Sequence, residues 1–178
     1  KQAAKFSSQW GFNFYSANLW RKYGEDWWET AARRAHVRLR SWGMNTIANW
    51  SEEGVYKLDG QRTPYTVAVH YSCPQIGKKF PDVNHKKFRP ALRAALEKAA
   101  QGTADDPWCI GYFVNNELHW PRKNRAKLAE TYYRICREEA RRAAPDKLYL
   151  GSRLNNWDED VTRAAGRHCD VISINRSS

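Results

Sequence analysis

"DPWCIGYFVNNELHW", residues 106–120, is the stretch on which the fold turns. Residues 108–114 form an apolar, aromatic and β-branched run with no polar alternation, the pattern of a strand buried on both faces. Strands of that kind belong to parallel sheets covered by helices. The run ends abruptly on two amides, Asn115 and Asn116, followed by Glu117 and then Trp120. A core strand that finishes this way sets polar and aromatic chemistry at its carboxyl end.

Working outward, helical and extended patterns alternate. Over residues 25–42, Trp28, Ala32, Ala35, Leu39 and Trp42 recur at steps of three and four, which predicts an amphipathic helix ended by Gly43. "MNTIANWS" and "TPYTVAVHY" read as strands, and a helix rich in Ala and Leu follows over 88–100. Beyond the opening stretch the pattern predicts a long helix over 123–144, closed by Pro145. "KLYLGSRLN" then reads as a strand, "DEDVTRAAGRH" as a helix capped by Asp158, and "DVISIN" as a final strand. About five strand-like runs separated by helices predict an α/β fold with a parallel sheet. In that architecture ligand sites form just beyond the carboxyl ends of the strands. Those ends carry Asn49 and Trp50, His70 and Tyr71, Asn116 and Glu117, Arg153 and Asn155, and Asn175.

The chain has 178 residues, which suits one domain over residues 1–178, with neither repeats nor a linker. The 30 basic residues exceed the 19 acidic ones, giving a formal charge of +11. Many lie in helical stretches such as "RRAHVRLR" and "REEARRAA", mixed with Ala and Glu, as on solvated helix faces. Binding of nucleic acid or another polyanion is the alternative such charge allows. Cys73, Cys109, Cys136 and Cys169 stand singly, without metal-ligand spacing, and read as free thiols. No cofactor or metal is implied. No apolar run approaches the length of a membrane span, and no secretory signal is visible at Lys1, which leaves secretion open.

Amides, His and Arg ringed by indoles suit a neutral polyhydroxylated ligand: indole faces stack on sugar C–H surfaces, and amides serve hydroxyls in both directions. A carboxyl group in a dry aromatic cleft has its charged form disfavoured, so Glu117 there could protonate a departing sugar oxygen. The competing reading makes Glu117 a capping partner or surface ion pair, His70 a hydrogen-bonded structural residue and the Trp residues core.

Taken together, "NLWRKYG", "LRSWGMNTIANWSE", "DPWCIGYFVNNELHW", "YLGSR" and "CDVISIN" resemble the catalytic domain of β-agarases of glycoside hydrolase family 50 and close relatives. That family belongs to the clan of retaining glycosidases built on a (β/α)8 TIM barrel. The resemblance implies that Glu117 is the general acid/base at the end of the fourth barrel strand, with Asn116 the asparagine preceding it. Asn49 and Trp50 match the second-strand end, Arg153 the fifth and Asn175 the sixth; with His70 and Trp120 they are the expected substrate contacts. A galactan polysaccharide such as agarose is the implied partner, a secreted or periplasmic protein the implied setting, and no nucleic acid, membrane or cofactor is called for.

The sequence departs from that family's pattern in two ways. Asn115 stands where relatives commonly carry Asp. The second carboxylate, expected at the end of the seventh strand, has no counterpart, because the resemblance covers the second to sixth strands. The expectation is therefore an incomplete barrel whose open edges call for self-association or a further segment, with little turnover alone. A non-catalytic carbohydrate-binding scaffold and a basic polyanion binder are the rival readings.

Overall fold

Strand β2 (Cys109–Val114) lies at the centre of a three-stranded parallel sheet, between β1 (Tyr65–Val69) and β3 (Leu148–Tyr149). The computed structural model describes residues 5–9, 11–77 and 79–175. In β2, Cys109 and Gly111 are buried on one face and Tyr112 and Val114 on the other, and in β1 Thr66 is buried opposite Tyr65, Val67 and Val69, so the unbroken apolar runs of the sequence do mark strands covered on both faces. Parallel hydrogen bonding continues past the formal ends of β3. The Leu150 amide donates to the Tyr112 carbonyl and the Val114 amide to the Gly151 carbonyl. Residues 170–175 add one parallel bridge, Leu154 to Ile174.

The helices of this region form where their apolar periods fall. In α4 (Phe88–Ala100), Phe88, Leu92 and Leu96 line one buried face at four-residue spacing, and Pro90 sits in the first turn, where no amide donor is needed. In α5 (Arg125–Ala143), Leu128, Ala129, Tyr132, Tyr133, Cys136 and Ala140 are buried. In α6 (Glu159–His168), the Asp158 side chain caps the first turn by accepting from the Val161 amide. Ion pairs tie the helices together. Arg93 grips the buried Glu139 through two hydrogen bonds of 2.8 and 3.0 Å, and Arg167 and His168 meet Glu130. These partners hold the Glu139 and Glu130 carboxyls below their ordinary range, chiefly through the arginine hydrogen bonds. Several of the chain's basic residues are thus engaged in ion pairing along helices.

Two compact units divide the chain: Lys1–Ile47 with Ser51–Thr63, and Ala48–Trp50 with Pro64–Ser178. The first contains α1 (Phe14–Tyr23), α2 (Trp27–Ser41) and the short α3 (Glu53–Tyr56). Its buried centre includes His36, whose Nδ1 meets Thr63 Oγ1 at 2.8 Å and whose Nε2 meets the Val55 carbonyl at 2.7 Å. The second unit holds the sheet, α4, α5 and α6.

Differences from the sequence reading lie at the margins of the sheet. "MNTIANWS" forms no strand; Ile47 alone carries a bridge there. Trp42, expected on the apolar face of α2, follows the helix end and stays 66% exposed. Among the described residues the final extended run pairs through the single bridge at Ile174, and Val171, Ile172 and Ile174 remain exposed. All four cysteines are free; burial pushes the Cys169 thiol up to about 12. Among the described residues no helix is long and apolar enough to cross a membrane.

Gly111 fixes how closely β2 and β3 approach, since a Cβ added there would lie 2.1 Å from the Leu148 carbonyl oxygen. Backbone cannot yield as a flexible side chain does. Gly111→Ala is expected to destabilise the protein by about 3 kcal/mol or more, read as a lowered midpoint in urea unfolding. An unchanged midpoint would contradict this packing.

Candidate active site

The end of β2 is anchored before the functional side chains begin. Tyr132 on α5 donates its phenol to the Val114 carbonyl at 3.1 Å and accepts from the Asn115 amide at 3.2 Å. Complete burial raises the Tyr132 phenol well above its usual range, so it stays a neutral donor. The Asn115 backbone amide in turn donates to the Val69 carbonyl of β1 at 2.9 Å. Two residues on, the Glu117 amide is shared between the carbonyls of Ser152 and Arg153, at 3.1 and 3.0 Å. The tips of β1, β2 and β3 are thereby laced together by backbone hydrogen bonds.

On this base the side chains converge. Arg153 spreads its guanidinium between two neighbours. Nε donates to Asn116 Oδ1 at 3.0 Å, and Nη2 donates to Glu117 Oε1 at 2.9 Å. The same guanidinium lies 4.6 Å from the centre of the Trp50 ring, a cation–π contact. Asn175, from the extended run beside Leu154, donates its amide to Glu117 Oε1 at 2.8 Å. Both donors meet the same oxygen. Glu117 Oε2 accepts no hydrogen bond among the described residues.

The backbone beneath these groups is unusual. Trp50, Asn115, Glu117 and Arg153 all have positive φ, at 65°, 61°, 48° and 41°. Asn115 tolerates this left-handed region, but Trp, Glu and Arg avoid it, at a cost of about 1–2 kcal/mol each. With Glu117 and Arg153 at the tips of β2 and β3 and Trp50 packed on Arg153, the tertiary structure overrides local preference here, as functional sites tend to do.

The structure therefore brings together Trp50, Asn116, Glu117, Arg153 and Asn175. The other three expected contacts sit differently. Asn49 accepts from Thr66 Oγ1 at 2.9 Å, a tie to the early part of β1. His70 is exposed just past β1 and makes no side-chain hydrogen bond among the described residues. Trp120 packs in an aromatic cluster with Phe80, Tyr132 and Tyr133, ring centres 4.8 to 5.7 Å away.

The setting of Glu117 also differs from the dry, indole-walled one read from sequence. Its side chain is 31% exposed, its partners are a guanidinium and an amide, and the Trp50 indole meets the site through Arg153. Sequence reasoning passed over Tyr132 as an anchor. It also passed over His119, Asn156 and Trp157, which with Asn155 and Trp120 line a cleft beside the site. An exposed Trp directly after two Asn at a strand end was the available signal. Among the described residues no group of His, Cys, Asp and Glu is arranged to hold a metal.

No protein-family profile matches the chain. Among curated proteins it is similar to β-agarase B of Vibrio sp. (strain JT0107), 29% identical over 121 residues, covering 61% of this chain and 12% of that protein. β-Agarase A of the same organism is 30% identical over 121 residues with the same coverage. Among solved structures, the agarase AgWH50C superposes with a TM-score of 0.85 at 25% identity, covering 99% of this chain and 36% of that one. PfGH50B gives a TM-score of 0.84 at 19% identity, over 98% and 40%, a likeness of fold. The chain thus spans about an eighth of the curated relatives' length and little more than a third of AgWH50C.

The positive φ at Arg153 makes a backbone prediction separable from the side-chain clamp. Arg153→Gly and Arg153→Ala lose the same guanidinium, but only glycine sits without strain at φ 41°. Urea unfolding should find the glycine variant more stable than the alanine variant by about 1 kcal/mol, the reverse of the usual order. Alanine equal or superior to glycine would show that this backbone is not held in the left-handed region.

Proposed function

The chain is β-agarase-like in sequence and fold, and we propose on that footing that it is part of a glycoside hydrolase barrel acting on a galactan of the agarose type, with Glu117 as its acid/base. The observation that carries this reading is the asymmetry of the Glu117 carboxylate. Oε1 is held by Arg153 and Asn175, while Oε2 accepts nothing among the described residues.

A carboxyl group that protonates a leaving oxygen needs one oxygen fixed for orientation and one free to carry the proton. In this reading Oε2 delivers a proton to the glycosidic oxygen as the bond to the anomeric carbon breaks. It later takes a proton from the water that attacks the glycosyl–enzyme intermediate. Arg153 and Asn175 keep the group in one rotamer through both steps, and Arg153 stabilises the carboxylate left after proton donation. Asn116, its carbonyl oxygen held by Arg153 Nε, keeps its amide N–H groups for a sugar hydroxyl.

Retention of configuration requires a second carboxylate about 5–5.5 Å from the first, as nucleophile. The chain spans little more than a third of AgWH50C, and we assign the nucleophile to a part of the barrel outside that span. The segment alone is expected to bind oligosaccharide and not to turn it over.

In the full-length protein, Glu117→Gln should lower kcat/KM on agaro-oligosaccharides by about 10²- to 10⁴-fold, the usual contribution of general acid–base catalysis. Binding of the same oligosaccharides, measured by calorimetry, should persist. Wild-type rates in the variant would remove Glu117 from the chemistry. Binding without turnover in the wild-type full-length protein would favour a carbohydrate-binding scaffold instead.

A further inference from the structure

We propose that the cleft beside Glu117, walled by Trp120 and Trp157 and edged by His119, Asn155 and Asn156, is a separate subsite that binds a pyranose ring of a neutral polysaccharide. The inference rests on the function proposed above and extends it from the reacting bond to the neighbouring sugar.

Position is the first argument. The two loops that meet at Glu117 and Arg153 run on directly into the walls of this cleft: 118–121 form one side, and 155–158 with Val161 the other. A polysaccharide chain crossing the acid would therefore find the cleft next along its path. The volume, about 360 Å³, falls at the lower end of the usual range for small-ligand sites, roughly 300–1,000 Å³.

Rigidity is the second. Arg125, at the start of α5, donates Nε to the Pro121 carbonyl at 3.3 Å and pairs through Nη1 with Asp158 Oδ2. One guanidinium thus ties the two walls together across the cleft. Asp158 uses its other oxygen to cap α6. On the opposite side Trp120 is wedged among Phe80, Tyr132 and Tyr133. The walls are fixed before any ligand arrives, which reduces the ordering needed on binding.

Chemistry is the third. Trp157 is 70% exposed, although the residue after it is locked in the helix cap and the wall clamp. An indole displayed on a fixed backbone offers a flat apolar platform at no conformational cost, and a sugar ring's C–H face is a matching surface. Asn155, Asn156 and His119 make no side-chain hydrogen bonds among the described residues, so their polar atoms remain for hydroxyls. Arg125 and Asp158 neutralise each other, so the floor presents no net charge to select an anion. Stacking surface, uncommitted amides and a compensated floor together fit a neutral polyol better than a phosphate, a carboxylate or a basic peptide.

The test uses the full-length protein with Glu117→Gln to halt turnover, titrated with an agaro-hexaose by calorimetry. Adding Trp157→Ala should weaken binding about 3- to 10-fold, as loss of one aromatic stacking contact does, with the melting temperature unchanged. Asn155→Ala, which removes an amide from the cleft edge, should weaken it in the same direction. Affinity unchanged in both variants would overturn the subsite. Should the parent bind no agaro-oligosaccharide, cello- and xylo-oligosaccharides are titrated in turn. Trp157-dependent binding of one of those would sustain the subsite while refuting the agarose reading, and binding of none would refute both.

Discussion

Arg153 is the group through which the candidate site is assembled. Its guanidinium fixes Asn116 with one nitrogen and Glu117 with another while its face lies against Trp50, so three side chains from two other stretches of sequence share one cation. A lysine could supply the charge but neither the two-pronged geometry nor the flat stacking surface. Each contact is modest, because the Arg153 and Glu117 side chains are each 31% exposed and solvent weakens such pairs. What the arrangement supplies is orientation. It removes rotamers from Glu117 and, among the described residues, leaves one oxygen of the carboxylate uncommitted.

That orientation depends in turn on the strand tips. The Glu117 amide binds the carbonyls of Ser152 and Arg153, and Asn115 is held by Tyr132 and Val69. The parallel register between β2 and β3, which Gly111 allows to be close, brings Arg153 level with Asn116 and within reach of Glu117. The positive φ values at Trp50, Asn115, Glu117 and Arg153 show that the sheet and α5 impose this geometry against local preference. Core packing under the sheet, hydrogen bonding at the tips and side-chain placement at the site thus form one continuous chain of cause.

Much of the scaffold was legible in the sequence because it depends on local periodicity. β1 and β2 are buried apolar runs, α4 is spaced by Leu92 and Leu96, and Asp158 stands where an N-cap should. Position at strand ends drew attention to Trp50, Asn116, Glu117, Arg153 and Asn175, which the structure brings together. The bonds among them were not legible, since Arg153 and Glu117 lie 36 residues apart and meet only through strand register. Trp120 illustrates a different limit: an indole after a strand can wall a cleft or enter the core, and here it does both. His36 was hidden because nothing in an amphipathic helix announces a distant Thr63 as its partner. The short β3 and the single bridge at Ile174 reflect pairing that depends on neighbours beyond the local pattern.

The central claim is that the Glu117 carboxyl donates a proton to the leaving group, and leaving-group dependence tests it most directly. In the full-length protein, kcat/KM of the wild type and of Glu117→Gln would be compared on aryl galactosides whose phenols range from weakly to strongly acidic. If Glu117 is the acid, the variant should lose most on the least acidic phenol, which needs protonation to depart, and little on dinitrophenol, which does not. A loss of the same size across the whole series would contradict proton donation by Glu117 and reduce it to a structural part of the Arg153 cluster.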